Sequence, residues 1–346
     1  MQVEKLSPKV VRVCTMVRFR AEQFIQSGLL ANPNMPPVYF DFVDNPAINA
    51  YATTFEHKKY IGLTGGAVVV FQRLFSRLMS DPRVLSHIGD VSIERTDLPP
   101  LSSLPNSAVD WKGPVVLPRD FLRREAFSNH LTYIVLDFLI GHEFTHLVNG
   151  HVDYLSTRFG MQVLDEKEIS SSEEEALIRQ TLEMDADSIA VSHLIGNCID
   201  RIHDPNLTGG PTQLFYQNPA DAFLLLYFAI STFFRILGDS NFTQAELLKR
   251  EYPPTRHRQA MAMSTATTYF TKKAPNLMKV HNDALSRAIR EVESAFANIV
   301  AGSKSVSGLQ TAFGKIGSDH TARLCNFWKN KLRSDLEPFA YHTLPE

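Results

Sequence analysis

The segment His142-Glu143-Phe144-Thr145-His146 constrains this 346-residue chain more than any other. Histidines four positions apart lie on one face of an α-helix, one turn from each other, so both imidazoles can reach a single ion. Glu143 is close enough to take a proton from water at that ion, but it is not placed as a third ligand. Apolar residues on both sides predict a buried helix at about 128–149, ended by Gly150. The alternative is an exposed amphipathic helix that carries two histidines without a metal.

A third ligand is expected downstream, because a catalytic zinc usually has three protein ligands and one open position for water. Glu183 lies in the middle of a helix predicted at 172–198, which the capping-box pattern Ser172–Glu175 opens. Glu183 and Asp187 share one helix face, and an inward-facing carboxylate is costly unless it is paired or bound to metal. We therefore predict Glu183 as the third ligand and Asp187 as the partner of a ligand histidine. The alternative is a solvated acidic face.

Two further histidines lie near these motifs in the sequence. His151 either lines the metal site or ends the helix in a polar position that the helix dipole favours. His193 is ten residues beyond Glu183 and points to a different helix face, so we exclude it as a ligand.

The composition argues against several other classes of protein. A formal net charge of −2 gives no sign of a nucleic-acid surface. Cys14, Cys198 and Cys325 form no CxxC pair, so neither a disulfide framework nor a cysteine zinc site is expected. The first eight residues lack the apolar core of a signal peptide, and the longest apolar run, 222–234, is too short for a membrane span. We expect a soluble cytoplasmic protein.

The remaining patterns predict an α+β fold that is mostly helical. Short aromatic and β-branched runs predict a small N-terminal β-sheet, and periodic apolar residues predict helices that continue through the C-terminal region. A proline-rich loop is expected at 99–118. The predicted strands are 38–43, 49–52 and 59–64, and the further predicted helices are 9–26, 67–79, 221–237 and 276–300.

Between about Pro36 and Met263 the chain resembles the gluzincin metallopeptidases of the CAAX-prenyl-protease and HtpX type. The resemblance rests on four segments. Two are fairly specific: 142–151 is similar to the family's HExxH with a further histidine, and 183–187 to its ExxAD third-ligand motif. Two are weak alone: 49–66 is similar to its edge strand and helix entry, and 252–258 to its HPPxxxR element, with Tyr252 where the family has histidine. The family's membrane helices are not evident, which favours a soluble relative. The chain also resembles the soluble phage-exclusion peptidase Lit.

This resemblance implies a zincin-like metallopeptidase domain at 1–270, with a helical C-terminal extension at 271–346 packed on it. The expected protein is a zinc-dependent endopeptidase that acts on a protein or peptide substrate, with Glu143 as the general base. Tyr252, His257 and Arg258 are the candidates for stabilising the oxyanion. The strand Tyr60–Thr64 is expected to bind the substrate as an added strand.

Two other functions remain open from the sequence. One is a toxin or phage-defence protease that is held inactive until triggered, and the other is a non-catalytic zinc-bound interaction module. The intact Glu143 argues against the second, because metal binding alone does not need that carboxylate. The residues predict neither the substrate nor the oligomeric state.

Overall fold

The computed structural model describes residues 8–101, 107–110, 115–160, 172–207, 210–301 and 305–345. The described chain is an α+β protein, mostly helical, with a small sheet near its N-terminus and a helical C-terminal region, which confirms the predicted fold class. In chain order the elements are α1 (Pro8–Ala31), β1 (Val38–Val43), β2 (Ala50–Phe55), β3 (Lys58–Thr64), α2 (Gly65–Met79), α3 (Arg124–Val148), α4 (His151–Phe159), α5 (Glu173–His203), α6 (Pro219–Ile236), α7 (Gln244–Leu247), α8 (Thr255–Lys273), α9 (Met278–Ile299), α10 (Ser307–Phe313), α11 (Lys315–Phe327) and α12 (Arg333–Leu336).

The sheet has the strand order β1-β3-β2, with β1 parallel and β2 antiparallel to β3. A two-residue turn joins β2 to β3, and both turn residues, Glu56 and His57, have positive φ, as tight hairpins require. The prediction that the strand 60–64 binds substrate is wrong, because β3 is the central strand and neighbours pair with it on both sides. The edge strand beside α3 and α4 is β2.

The helix α3 runs through the core and carries the histidine motif. It packs against α2, α5, α6 and the sheet, and its last two turns are buried. It ends at Gly150, whose φ of +76° is left-handed, as expected of a glycine at this position. A Cβ atom at Gly150 would lie 2.4 Å from the backbone of Phe339, so only glycine fits between α3 and the C-terminal segment.

Two helices, α3 and α6, are long and apolar enough to cross a membrane by length and composition. Their most apolar windows are 89% and 83% buried inside the fold. Such burial is typical of core helices in a soluble protein, and it explains the apolar run 222–234, which lies in α6.

The helix α5 connects the N-terminal and C-terminal parts of the fold. The Ser172 hydroxyl accepts a hydrogen bond from the Glu175 amide (3.1 Å) and begins the helix, which extends five residues beyond the predicted end at 198. One face of α5 packs on a C-terminal apolar cluster that contains Trp328. Since α9 belongs to the main core, residues on both sides of 270 share that core, and the domain division at 270 stays a prediction.

The proline-rich loop falls only partly within the described residues. Residues 102–106 and 111–114 lie outside them. At its start, Leu101 donates a backbone hydrogen bond to Ile299 of α9 (2.6 Å). The three cysteines are free thiols, as expected.

Candidate metal centre

The structure brings together the three predicted ligands from two packed helices. His142 and His146 lie one turn apart on α3, and Glu183 faces them from α5. The two Nε2 atoms are 3.0 Å apart. Glu183 places its Oε2 3.5 Å from His142 Nε2 and its Oε1 3.4 Å from His146 Nε2. All three side chains are buried.

These distances fit one divalent ion. A tetrahedral zinc with bonds of about 2.0–2.2 Å separates its ligand atoms by roughly 3.3–3.6 Å. Two imidazoles and one carboxylate are also the donor set of a common type of catalytic zinc site. Among the described residues, this group is the one whose ligand atoms all lie within 4.8 Å of one another.

The far side of the His142 ring is held by a carboxylate. Asp187 is fully buried, and its Oδ1 lies 2.9 Å from His142 Nδ1. Arg258 of α8 donates two hydrogen bonds to Asp187, at 2.8 and 2.9 Å, and its Nη2 lies 3.2 Å from Glu183 Oε2. Such a contact fixes the orientation of the ring, with Nε2 turned toward Glu183. Asp187 therefore lies beside a predicted ligand histidine, as the sequence analysis expected, and Arg258 contacts the carboxylates of both Glu183 and Asp187.

The far side of the His146 ring is held differently. His146 Nδ1 lies within hydrogen-bond distance of His151 Nδ1 (2.9 Å), and His151 Nε2 lies 3.2 Å from Asp185 Oδ2. Asp185 also accepts a hydrogen bond from Asn149 Nδ2 (2.5 Å). Asn149 Oδ1 accepts one from His342 near the C-terminus (2.7 Å).

The electrostatics of the group follow from burial opposed by close charges. For His142, burial lowers the pKa, but Glu183 and Asp187 outweigh it and raise the pKa to about 10. For His146, burial lowers the pKa to about 4 although Glu183 opposes it. Burial would raise the pKa of both Glu183 and Asp187, but Arg258 and His142 hold both below their ordinary values. The group thus holds ionised carboxylates beside a neutral His146 imidazole at neutral pH.

The remaining candidates lie at different distances from this group. Glu143 lies between the two histidines in the sequence of α3, and the residue is 7% exposed. Tyr252 lies in the segment before α8, within electrostatic range of Arg179, which is one helical turn before Glu183 on α5. His257 is buried against the rings of Phe242 and His320.

His193 lies away from the ligands, as predicted. It packs edge-on against Phe24 of α1, with ring centroids 4.8 Å apart, in the wall of a cavity of about 550 Å³. That cavity borders another face of α3, through Gly141, Thr145 and Val148, and none of the three ligands lines it.

Sequence reasoning missed Asn149, Asp185 and His342 as parts of the site. Asp185 lies inside the segment that already supplied Glu183 and Asp187, so its position was a usable signal. His342 is nearly two hundred residues from Asn149 in sequence, and no local pattern connects the two.

Comparisons of the chain with protein-family models, with curated proteins and with solved structures found no match.

Proposed function

We propose that the protein is a zinc-dependent endopeptidase in which His142, His146 and Glu183 hold the metal. The observation that carries the proposal is the convergence of their ligand atoms, at 3.0–3.5 Å from one another. Glu143 follows His142 directly in the same buried helix. When bound there, zinc lowers the pKa of a coordinated water to about 7 and polarises the scissile carbonyl.

Glu143 is the proposed general base and acid. It takes a proton from the attacking water and delivers it to the leaving amine, which otherwise leaves as an unstable anion. Burial removes competing solvent from around this carboxylate and strengthens its interaction with charge that develops in the transition state.

Two of the three predicted oxyanion donors, Arg258 and Tyr252, have different surroundings. The Arg258 guanidinium binds Asp187 and Glu183, which supports a role in holding the ligand set. Tyr252, in the turn before α8, carries a phenolic donor and remains the candidate for stabilising the oxyanion.

The proposed substrate is an extended segment of a protein, bound along β2. This strand is at the edge of the sheet and packs beside α3, which carries the ligand histidines. An added strand forms main-chain hydrogen bonds with such an edge and depends little on the sequence of the peptide. The proposed compartment is the cytoplasm. Two observations support it: the two long apolar helices are mostly buried in the core, and the cysteines are free thiols.

The experiment compares Glu143→Gln with Glu175→Gln. Glu175 is a buried glutamate at the start of α5, paired with Arg179, and has no proposed part in the chemistry. We expect Glu143→Gln to bind zinc as the wild type does and to lose Glu143-dependent cleavage products in a proteome-wide search. Glu175→Gln should retain those products. Identical products from wild type and Glu143→Gln would contradict the proposal, and partner binding without any cleavage would favour a zinc-bound interaction module.

A specific observation favours the triggered form of this protease. His142, Glu143, His146 and Glu183 are 1–7% exposed, so little of their surface is open to a peptide in this conformation. A protease that stays closed until triggered has this property. Toxicity on overexpression that disappears in Glu143→Gln would support this form of the proposal.

A further inference from the structure

A second histidine, His151, contacts the ring of the proposed ligand His146 on the side opposite to Nε2. The two Nδ1 atoms are 2.9 Å apart, and the rings meet edge to face with centroids 5.0 Å apart. His151 is fully buried, and its side chain is brought there by the left-handed turn at Gly150, which starts α4 directly after α3.

The donor and acceptor roles along this contact follow from metal binding. If His146 binds a metal through Nε2, its Nδ1 carries the ring proton and donates a hydrogen bond to His151 Nδ1. The other nitrogen of the His151 ring, Nε2, lies 3.2 Å from Asp185 Oδ2. The His151 ring thus lies between His146 on one side and the Asp185 carboxylate on the other.

The contacts from His146 through His151 to Asp185 continue to the C-terminal segment. Asn149 donates from Nδ2 to Asp185 (2.5 Å) and accepts at Oδ1 from His342 Nε2 (2.7 Å). The neighbouring Tyr341 amide donates to the carbonyl of Val148, in the last turn of α3 (2.9 Å). The C-terminal segment is thereby joined to the helix that carries the ligands.

We propose that His151 is a positioning residue that fixes the ring of His146 for metal binding, held by Asp185 and, through Asn149, by His342. This inference rests on the proposed metal centre. In this proposal His151 does not bind the metal itself. Among the described residues, the group able to share an ion consists of His142, His146 and Glu183. Removing the hydrogen-bond partner of a metal ligand typically weakens metal binding by about 10–100-fold.

The experiment measures the zinc dissociation constant of the full chain by competition with a chromophoric chelator. We expect His151→Leu to raise that constant roughly 10–100-fold. His151→Asn keeps an acceptor near the position of Nδ1 and should recover most of the affinity. His342→Ala, three side chains further out, should show a smaller loss.

The matched control is His281→Leu. His281 is also a fully buried histidine, hydrogen-bonded to Tyr227 (2.6 Å) in the core between α6 and α9. Its loss should lower stability and leave the zinc dissociation constant unchanged. A second readout is the visible spectrum of the Co²⁺-loaded protein, which we expect to change in His151→Leu and to stay unchanged in His281→Leu.

The outcomes separate the two proposals. Wild-type affinity in His151→Leu would overturn the positioning role, as would an equal loss in His281→Leu. Zinc binding by the wild type with neither Glu143-dependent cleavage nor Glu143-dependent toxicity would overturn the proposed endopeptidase. The positioning role would then still be tested by the same affinity measurements. A wild-type chain that binds no zinc would overturn both.

Discussion

His142 carries a proton that a metal must displace. Glu183 and Asp187 outweigh burial and raise its pKa to about 10, whereas burial lowers the pKa of His146 to about 4. An imidazole nitrogen binds a metal only without its proton, so zinc binding at pH 7–8 should release about one proton, from His142. The zinc affinity should accordingly rise about tenfold per pH unit as the pH increases toward 10.

Calorimetry in buffers of different ionisation enthalpy measures this release. The expected slope of the apparent binding enthalpy against buffer enthalpy corresponds to about one proton. A slope near zero would show that His142 is already neutral in the zinc-free protein and would contradict the charge balance described for the centre.

The positions of single site residues could be predicted from the sequence where the helix period alone decides which side chains lie on one face. The spacing of four placed His142 with His146, and Glu183 with Asp187, and the structure brings these pairs together. The position of His151 could not be predicted in the same way, because it depends on the turn at Gly150 rather than on a helix period.

At the scale of the elements, the junction between α3 and α4 depends on Gly150, and Gly160 provides a matched glycine for comparison. Gly150 and Gly160 both have positive φ, +76° and +70°. A Cβ at Gly150 would overlap Phe339, whereas one at Gly160 would meet no atom of the described residues within 4 Å. Gly160→Ala should therefore cost only the backbone strain, about 1 kcal/mol. Gly150→Ala should cost several kcal/mol, because the C-terminal segment must move.

Urea unfolding of both variants at one pH measures the difference. Equal losses in the free energy of unfolding would show that Phe339 does not pack against Gly150. A larger loss at Gly150, together with weaker zinc binding, would agree with a joint that supports both the C-terminal segment and His151.

Helices were predicted better than the sheet. The apolar periodicity and the capping residues Ser172 and Gly150 located α3 and α5 within a few residues. The strands were also found, but their order was not, because the parallel pairing of β1 with β3 is a contact between segments that no local pattern encodes. The substrate strand was consequently assigned to β3 instead of the edge.

At the scale of the whole molecule, buried neutral histidines should make the protein sensitive to mild acid. Burial lowers the pKa of His130 and His257 to about 3, and of His281 and His320 to about 4. Below pH 6.5 the unfolded chain binds protons that the folded chain does not, so the free energy of unfolding falls as the pH falls. Each histidine contributes up to about 1.4 kcal/mol per pH unit between the two pKa values.

Urea unfolding of the zinc-free protein between pH 7 and 5 measures this slope. His130→Gln removes one such group and should reduce the slope by up to about 1.4 kcal/mol per pH unit. The window lies above the ordinary carboxyl pKa values, so carboxylates contribute little to the change. Unfolding free energies that stay constant from pH 6.5 to 5 would contradict the burial of these rings.

The central claim is that two helices hold one zinc ion between His142, His146 and Glu183. Anomalous diffraction from crystals of the protein purified without added metal, recorded on both sides of the zinc absorption edge, tests it most directly. The account predicts one zinc peak within bonding distance of His142 Nε2, His146 Nε2 and a carboxylate oxygen of Glu183. A peak that appears at the iron edge instead, or a zinc peak elsewhere with these three side chains turned apart, would contradict it.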